Sequence, residues 1–321
     1  MLTRRGLLMG AAALGSAGVI AATKPRRSYE DPDAVYDALH SQPATTLDLG
    51  GGKIDIVFAD GAAGLERERT LRWVKKSAQA VTTYFGRYPT QRYGLLILTE
   101  AGDRVGHATT YGHRGPVTRI HVGTEAGELA FNEDWVLVHE MVHTALPDLP
   151  RRALWLQEGN ATWVEPIARA QAGQLPISEV WRQALGGMPA GMRVRDASGM
   201  DGTRDWGRLY WGGAIFWLQA EIAIYEQSMQ RFLLRDALRA INRTSGGIGA
   251  ASSPEEMMAV GDQATGTTAL IELYRDFSLN GVPGNLAAMF DRLGVSVDTR
   301  SGVRLNASAE LAALTDRITR Q

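Results

Sequence analysis

The sequence predicts an α+β fold, in which an N-terminal mixed sheet is followed by a mainly helical part. Apolar runs typical of strands fall before residue 123, and apolar residues at helical spacing fill most of the chain from residue 132 onward. The chain has 321 residues, 45% hydrophobic and 21% charged, which is typical of a folded globular protein with a substantial core. We expect residues 28–130 to form an α/β part with an edge strand, and residues 131–321 to form the helical part of the same domain.

The charge balance and the cysteine content exclude several classes of function. The 34 basic residues nearly match the 35 acidic ones, so the sequence gives no indication of a nucleic-acid partner. The chain has no cysteine, which excludes a disulfide framework, a thiol nucleophile, an iron–sulfur cluster and a thiolate zinc site. Any metal site must therefore be built from His, Asp or Glu.

The first 22 residues have the pattern of an export signal. Arg4 and Arg5 are followed by a short apolar run rich in Ala and Gly, from Gly6 to Ala22, which is typical of a bacterial twin-arginine (Tat) signal. Cleavage near Ala22 would release the protein into the periplasm without stable membrane insertion. An uncleaved segment would instead anchor the protein to the membrane.

Helix and strand patterns alternate in the first part of the remaining chain. Asp31 followed by Pro32 predicts a helix start, because Asp is a favoured cap and Pro fits the first helical turn. Alternating apolar residues on both sides of Gly50–Gly52 predict a hairpin. The predicted elements are a short capped helix within 28–40, a hairpin at 45–59, a helix at 65–85, and strands at 94–98 and 117–122.

The second part of the chain has a nearly continuous helical pattern from Asn132 onward. Gly- and Pro-rich segments predict loops at 186–191, 245–254 and 281–284. The stretch from Ser253 to Glu256, with Pro254 between them, predicts a helix that begins with a reciprocal capping box.

The most informative segment is His139-Glu140-Met141-Val142-His143, an H-E-x-x-H pattern flanked by apolar residues at helical spacing. On a helix, for which Asn132 is the candidate N-cap, the two histidines lie one turn apart on the same face and can bind one zinc ion. Glu140 is offset around the helix and can act as a base toward a metal-activated water.

A catalytic zinc needs a third protein ligand, and no histidine follows His143. The candidates are the carboxylates Asp148, Glu158 and Glu165. Glu158 begins a second apolar-patterned helix, which would pack antiparallel to the first after a Pro-containing turn and bring Glu158 opposite the two histidines. We therefore favour Glu158 as the ligand, and we expect Glu165 to be an outer partner of the site or a surface residue.

Three other histidines precede the motif in a Gly-rich region. We expect them to be structural or cleft-lining rather than metal ligands: His107, His113 and His121. The segment 117–123 is the candidate edge strand for pairing with a peptide backbone.

Two of these motifs together resemble those of the gluzincin metallopeptidases. H-E-x-x-H followed by W-L-x-E-G-x-A, here Trp155–Ala161, is the mark of the M1 aminopeptidase and M61 glycyl aminopeptidase families. The resemblance implies a thermolysin-like catalytic domain that binds one Zn²⁺ ion. It also implies that Glu158 completes the metal site with His139 and His143, and that Glu140 is the catalytic base.

The resemblance extends to a candidate catalytic tyrosine. These families carry a Tyr-x-Lys-Gly-Ala stretch, which Tyr210–Ala214 matches except that Gly212 replaces the Lys. Tyr210 is therefore the expected donor to the oxyanion, with Arg208 as the fallback. The sequence lacks the Gly-x-Met-Glu-Asn segment of M1 enzymes, whose Glu holds the substrate's amino terminus, so a choice between aminopeptidase and endopeptidase does not carry over.

Three functional hypotheses follow from the sequence. The leading one is an exported zinc metallopeptidase that acts on peptide substrates through a zinc-activated water. The alternatives are a non-catalytic, zinc-stabilised binding module in the periplasm and a zinc hydrolase of a non-peptide amide, such as cell-wall material. An intact Glu140 argues against the binding module, which would not need a base.

Overall fold

A computed structural model describes residues 29–192, 199–282, 284–299 and 302–320. The export signal predicted for residues 1–22 lies outside the described residues. Within the described ranges, no helix is both long enough and apolar enough to cross a membrane.

Five strands form one mixed sheet in the first part of the chain. In spatial order the sheet runs β1-β2-β3-β5-β4, with the central pairs β2–β3 and β3–β5 parallel and the outer pairs β1–β2 and β4–β5 antiparallel. Strand β4 is therefore an edge strand. The strands are β1 (Ala44–Leu49), β2 (Gly52–Phe58), β3 (Arg92–Glu100), β4 (Val105–Tyr111) and β5 (Val117–Gly123).

The sheet region has two hydrophobic cores, and one helix contributes apolar residues to each of them. Helix α1 (Pro32–Ser41) begins where Asp31 accepts the N–H of Asp33, and it packs in a small core that includes Val57 and Leu96. Helix α2 (Arg67–Phe85) is capped by the Glu66 carboxylate and packs in the main core. Because side chains alternate along a strand, the sheet supplies residues to both cores.

The rest of the described chain is mainly helical. These helices extend the main core away from the sheet, so the predicted α+β class is confirmed. They are α3 (Glu128–Glu133), α4 (Val136–His143), α5 (Leu154–Gln171), α6 (Ile177–Gly191), α7 (Gly213–Gln227), α8 (Leu234–Ser245), α9 (Pro254–Thr265), α10 (Ala269–Asn280), α11 (Leu286–Leu293) and α12 (Ala312–Thr319), with a small hairpin of β6 (Val295–Asp298) and β7 (Gly302–Leu305).

Helices α5 and α7 approach each other closely enough for their backbones to touch. A Cβ atom at Gly159 would overlap the backbone of Gly213, and a Cβ atom at Gly213 would overlap the carbonyl oxygen of Trp155. The indole N–H of Trp217 also donates to the carbonyl oxygen of Leu156 at 2.9 Å. This contact fixes the first turns of α5, and therefore the position of any side chain that projects from them.

Two sequence-based expectations about helices are wrong. Helix α4 begins at Val136 because the Asp134 carboxylate accepts the N–H groups of Val136 and Leu137, whereas Asn132 lies inside the preceding helix α3. The segment 186–191 is the last part of α6 and not a loop. Gly187 in this segment leaves room for the ring of Trp211, because a Cβ atom at position 187 would overlap that ring.

The prediction that 117–123 is the edge strand is wrong, because β5 pairs with β3 on one side and with β4 on the other. Sequence patterns missed the true edge strand β4 and the hairpin β6–β7. The capping box at Ser253 was predicted correctly: its hydroxyl accepts the N–H of Glu256, whose carboxylate accepts the N–H of Ser253.

Candidate metal centre

Helix α4 presents two histidines on one face. His139 and His143 are separated by one helical turn, and their rings lie 4.8 Å apart at an angle of 84°. His139 is only 4% exposed and His143 is mostly buried. The apolar residues of α4 pack in the main core, which holds this helix against the sheet and against α5.

Helix α5 brings Glu158 opposite the two histidines. Its Oε2 atom lies 3.4 Å from Nε2 of His139 and 3.6 Å from Nε2 of His143, and one donor atom from each residue lies within 4.8 Å of the other two. In a tetrahedral zinc site with bonds of about 2.0–2.1 Å, neighbouring donor atoms are separated by about 3.3 Å. Two imidazoles and one carboxylate at these distances therefore fit a single zinc ion.

The three side chains are coupled electrostatically. Burial would raise the pKa of Glu158, but its hydrogen bonds to both histidines and their charges hold that pKa well below its usual range. Burial would lower the pKa of His143, yet the hydrogen bond and the charge of Glu158 raise it overall. Glu158 is therefore an anion positioned to hold cations, whether protons on the imidazoles or a metal.

Glu140 is oriented by a threonine of the edge strand. The hydroxyl of Thr110 in β4 donates to Oε2 of Glu140 at 2.6 Å, and the hydroxyl of Thr118 in β5 lies 2.7 Å from that of Thr110. Because the hydrogen of Thr110 is directed to the carboxylate, Thr118 is the donor in the second bond. Sequence reasoning missed Thr110, since its strand was not recognised and the contact spans 30 residues.

Tyr210 lies in a short π-helical segment, Arg208–Gly212, directly before α7. Such wide turns are frequent at functional sites, because they displace a side chain from the regular helical path. The Tyr210 ring stacks on His139 with ring centres 5.8 Å apart and an angle of 21°. Burial raises the pKa of Tyr210, as do the charge of Glu158 and a hydrogen bond to it, so the phenol remains protonated. Arg208 instead donates to the carbonyl oxygen of Gly199 at 3.3 Å.

Two cavities adjoin the metal centre, and Tyr210 lines both. One, of about 500 Å³, is bordered by Glu140, His143 and Glu158 and by residues of β4. The other, of about 510 Å³, is bordered by His139 and by Trp135, Trp211 and Glu165. We refer to these two cavities, which share Tyr210, as the cleft.

The remaining sequence candidates take other positions. Asp148 is exposed and its backbone pairs with that of Ala251, while the three-residue donor group contains only His139, His143 and Glu158. Glu165 is not a surface residue: it is 4% exposed and accepts a hydrogen bond from Arg169 at 2.9 Å. Burial raises the pKa of Glu165 to about 7 despite this arginine.

The three earlier histidines divide into two locations. His113 borders the cavity next to Glu140 and packs edge-on against Tyr36. His107 and His121 lie together with Glu30 in a separate group.

Comparisons with known proteins give matches to structures only. No protein-family model matches the sequence, and no curated protein matches it. A solved structure of an aminopeptidase N family protein from Idiomarina loihiensis matches with a TM-score of 0.58 at 14% identity, over 83% of this chain and 53% of that one. A mutant of a two-domain M1 zinc metallopeptidase, bound to L-arginine, matches with a TM-score of 0.50 at 17% identity, over 75% of this chain and 53% of that one.

The chain spans about half the length of these two structures. At such low identities the likeness concerns the fold and not the activity. This chain shares its fold with M1 zinc metallopeptidase structures.

Proposed function

We propose that this protein is a zinc-dependent metallopeptidase that hydrolyses peptide bonds. The observation that carries the proposal is the convergence of His139, His143 and Glu158 on one point of a cleft, with Glu140 beside them. The shared fold with M1 zinc metallopeptidase structures supports it.

The residues of the cleft divide the chemistry among them. Zinc, when bound by the two histidines and Glu158, polarises the scissile carbonyl and lowers the pKa of water. Glu140, oriented by Thr110, accepts the proton of the attacking water and then delivers it to the leaving amine. The Tyr210 hydroxyl donates a hydrogen bond to the oxyanion that develops on the scissile carbonyl.

The test combines metal analysis with a peptide-library cleavage assay on the untagged protein. We expect one zinc in this site and cleavage by the wild type. Glu140→Gln should retain zinc and lose cleavage, and Tyr210→Phe should retain zinc and lose about 100-fold in kcat. Glu125→Gln, which changes an exposed carboxylate outside the cleft, is the matched control and should leave both unchanged.

The outcomes separate this proposal from its alternatives. If the wild type binds no stoichiometric zinc, both hypotheses of a zinc hydrolase are excluded. Zinc binding without cleavage of peptides or of cell-wall fragments favours the binding module. Zinc binding with hydrolysis of cell-wall fragments, but not of peptides, indicates that the substrate is a non-peptide amide.

We also propose export through the twin-arginine route, from the Arg4-Arg5 pattern alone. Replacing Arg4 and Arg5 with Lys should retain the protein in the cytoplasm of the producing bacterium, as measured by cell fractionation. Unchanged export of this variant would contradict the proposal.

A further inference from the structure

A second group of histidine and glutamate side chains lies on the sheet face opposite the cleft. Within the described residues, donor atoms of Glu30, His107 and His121 lie within 4.8 Å of one another. Along β5, Thr118 contacts Thr110 on the cleft side, so the alternation of side chains directs Arg119 and His121 to the other face. This group is therefore separated from the candidate metal centre by the sheet.

An irregularity in β4 brings the two histidines together. Val105 pairs with Val122 and Ala108 pairs with Ile120, so that Gly106 and His107 both oppose the single residue His121. Such a bulge inserts one residue and redirects its side chain. The His107 and His121 rings consequently stack, with centres 4.1 Å apart and an angle of 22°.

The Glu100 carboxylate lies beside the His121 ring. Its Oε2 atom lies 3.3 Å from Nδ1 of His121, and a Cβ atom at Gly106 would overlap the Glu100 carboxylate. Glycine at the bulge therefore leaves the space through which Glu100 reaches the histidine. In metal sites, a carboxylate on one ring nitrogen of a histidine fixes the tautomer in which the other nitrogen offers its lone pair.

The other ring nitrogen of His121 is left without a partner. Its Nε2 atom is buried and has no hydrogen-bond partner in the described part of the chain. A buried nitrogen of this kind costs free energy unless it binds something. In the neutral ring with its proton on Nδ1, the nitrogen beside Glu100, Nε2 has a lone pair that a proton donor or a cation can satisfy.

We propose that Glu30, His107 and His121 bind one divalent transition-metal ion of the zinc class. Two imidazoles and one carboxylate suit Zn²⁺, whereas Mg²⁺ and Ca²⁺ prefer oxygen ligands. His107 is exposed, so its ring can turn from the stacked position to direct a nitrogen at the ion.

The charges around the group favour a cation. Arg119 holds Oε2 of Glu30 at 2.8 Å and leaves the other carboxylate oxygen for the ion. The carboxylates of Glu30 and Glu100 outnumber the single guanidinium of Arg119, so these three side chains have a net negative charge. The ion would link the segment ahead of α1 to the edge of the sheet.

The experiment counts zinc ions in the untagged full chain by equilibrium dialysis against zinc chloride. Wild type should bind two ions, and a variant with His139→Ala and His143→Ala should bind one. Adding His121→Ala or His107→Ala to that variant should abolish the remaining ion, whereas adding His113→Ala should not. Magnesium chloride should give no binding at this group.

The His139→Ala, His143→Ala background makes this result independent of the proposed peptidase activity. Zinc should also raise the melting temperature of that background variant, and this rise should disappear with His107→Ala, whose exposed side chain is not needed for folding. Absence of bound zinc in the background variant, or unchanged binding after His121→Ala and His107→Ala, would overturn the proposal.

Discussion

At the residue scale, the candidate site depends on one contact that local sequence patterns do not reveal. The spacing of His139 and His143 follows from helical geometry, so both positions could be predicted from the motif. Thr110 could not, because its contact with Glu140 joins an edge strand to a helix 30 residues away. Its strand also lacks a clear alternation of apolar and polar residues, which is the signal that predicts strands.

The Thr110 hydroxyl should contribute to catalysis by holding Glu140 in position. Thr110→Val removes a hydrogen bond to a charged group, an interaction of about 1.5 kcal/mol, and should lower kcat about tenfold with little change in KM. Zinc content should not change. Steady-state kinetics on a cleaved peptide, with metal analysis of the same sample, measure both quantities.

Thr109→Val is the matched control for this prediction. Thr109 is the neighbouring residue of the same strand, and its hydroxyl accepts from Arg119 at 3.4 Å on the opposite face of the sheet. Equal losses of kcat in the two variants would show that the strand as a whole, and not the hydroxyl on Glu140, is responsible.

At the element scale, the site depends on how closely α5 packs against its neighbours. The sequence motif places Glu158 on a helix, and the glycines at 159 and 213 allow the backbones of α5 and α7 to touch. The start of α1 could be predicted from its cap at Asp31, and the extent of α2 from its apolar spacing. The continuation of α6 through Gly186 and Gly187 could not, because the packing of Trp211 decides it.

Gly213→Ala should destabilise the protein, because its Cβ atom has no space beside the carbonyl oxygen of Trp155. We expect the free energy of unfolding to fall by about 1–3 kcal/mol, the usual cost of overpacking, and zinc affinity to fall as Glu158 is displaced. Urea denaturation and a zinc competition assay measure these effects.

Gly186→Ala provides the contrast within another helix. A Cβ atom at Gly186 meets no atom within 4 Å, so the gain in helix propensity should raise stability by up to about 1 kcal/mol. Equal stability changes in the two variants would contradict the close approach of α5 and α7.

At the scale of the whole molecule, the sheet separates the candidate cleft from the second histidine group. The α+β class could be predicted from the order of strand and helix patterns. The strand order β1-β2-β3-β5-β4 could not, because it is decided by pairings between distant segments. Which charged residues are buried likewise depends on the assembled fold. Glu221 shows how such burial affects the stability of the protein.

Glu221 of α7 is 3% exposed, and its carboxylate accepts the N–H of Leu234 at the start of α8 at 2.8 Å. Burial raises its pKa from 4.5 to about 7, although the Leu234 N–H and the charge of Arg235 lower it. Between these two values the folded state binds more protons at Glu221 than the unfolded state. This carboxyl therefore lowers the free energy of unfolding as pH rises from 4.5 to 7, by at most about 1.4 kcal/mol per pH unit.

Glu221→Gln keeps an acceptor for the Leu234 N–H and removes the titration. The variant should equal the wild type in stability near pH 4.5 and exceed it at pH 7 and above, as measured by urea denaturation across this range. The exposed Glu125→Gln control should follow the wild type at every pH. A constant difference between Glu221→Gln and wild type from pH 4.5 to 8 would show that folding does not shift the pKa of Glu221, and would contradict this prediction.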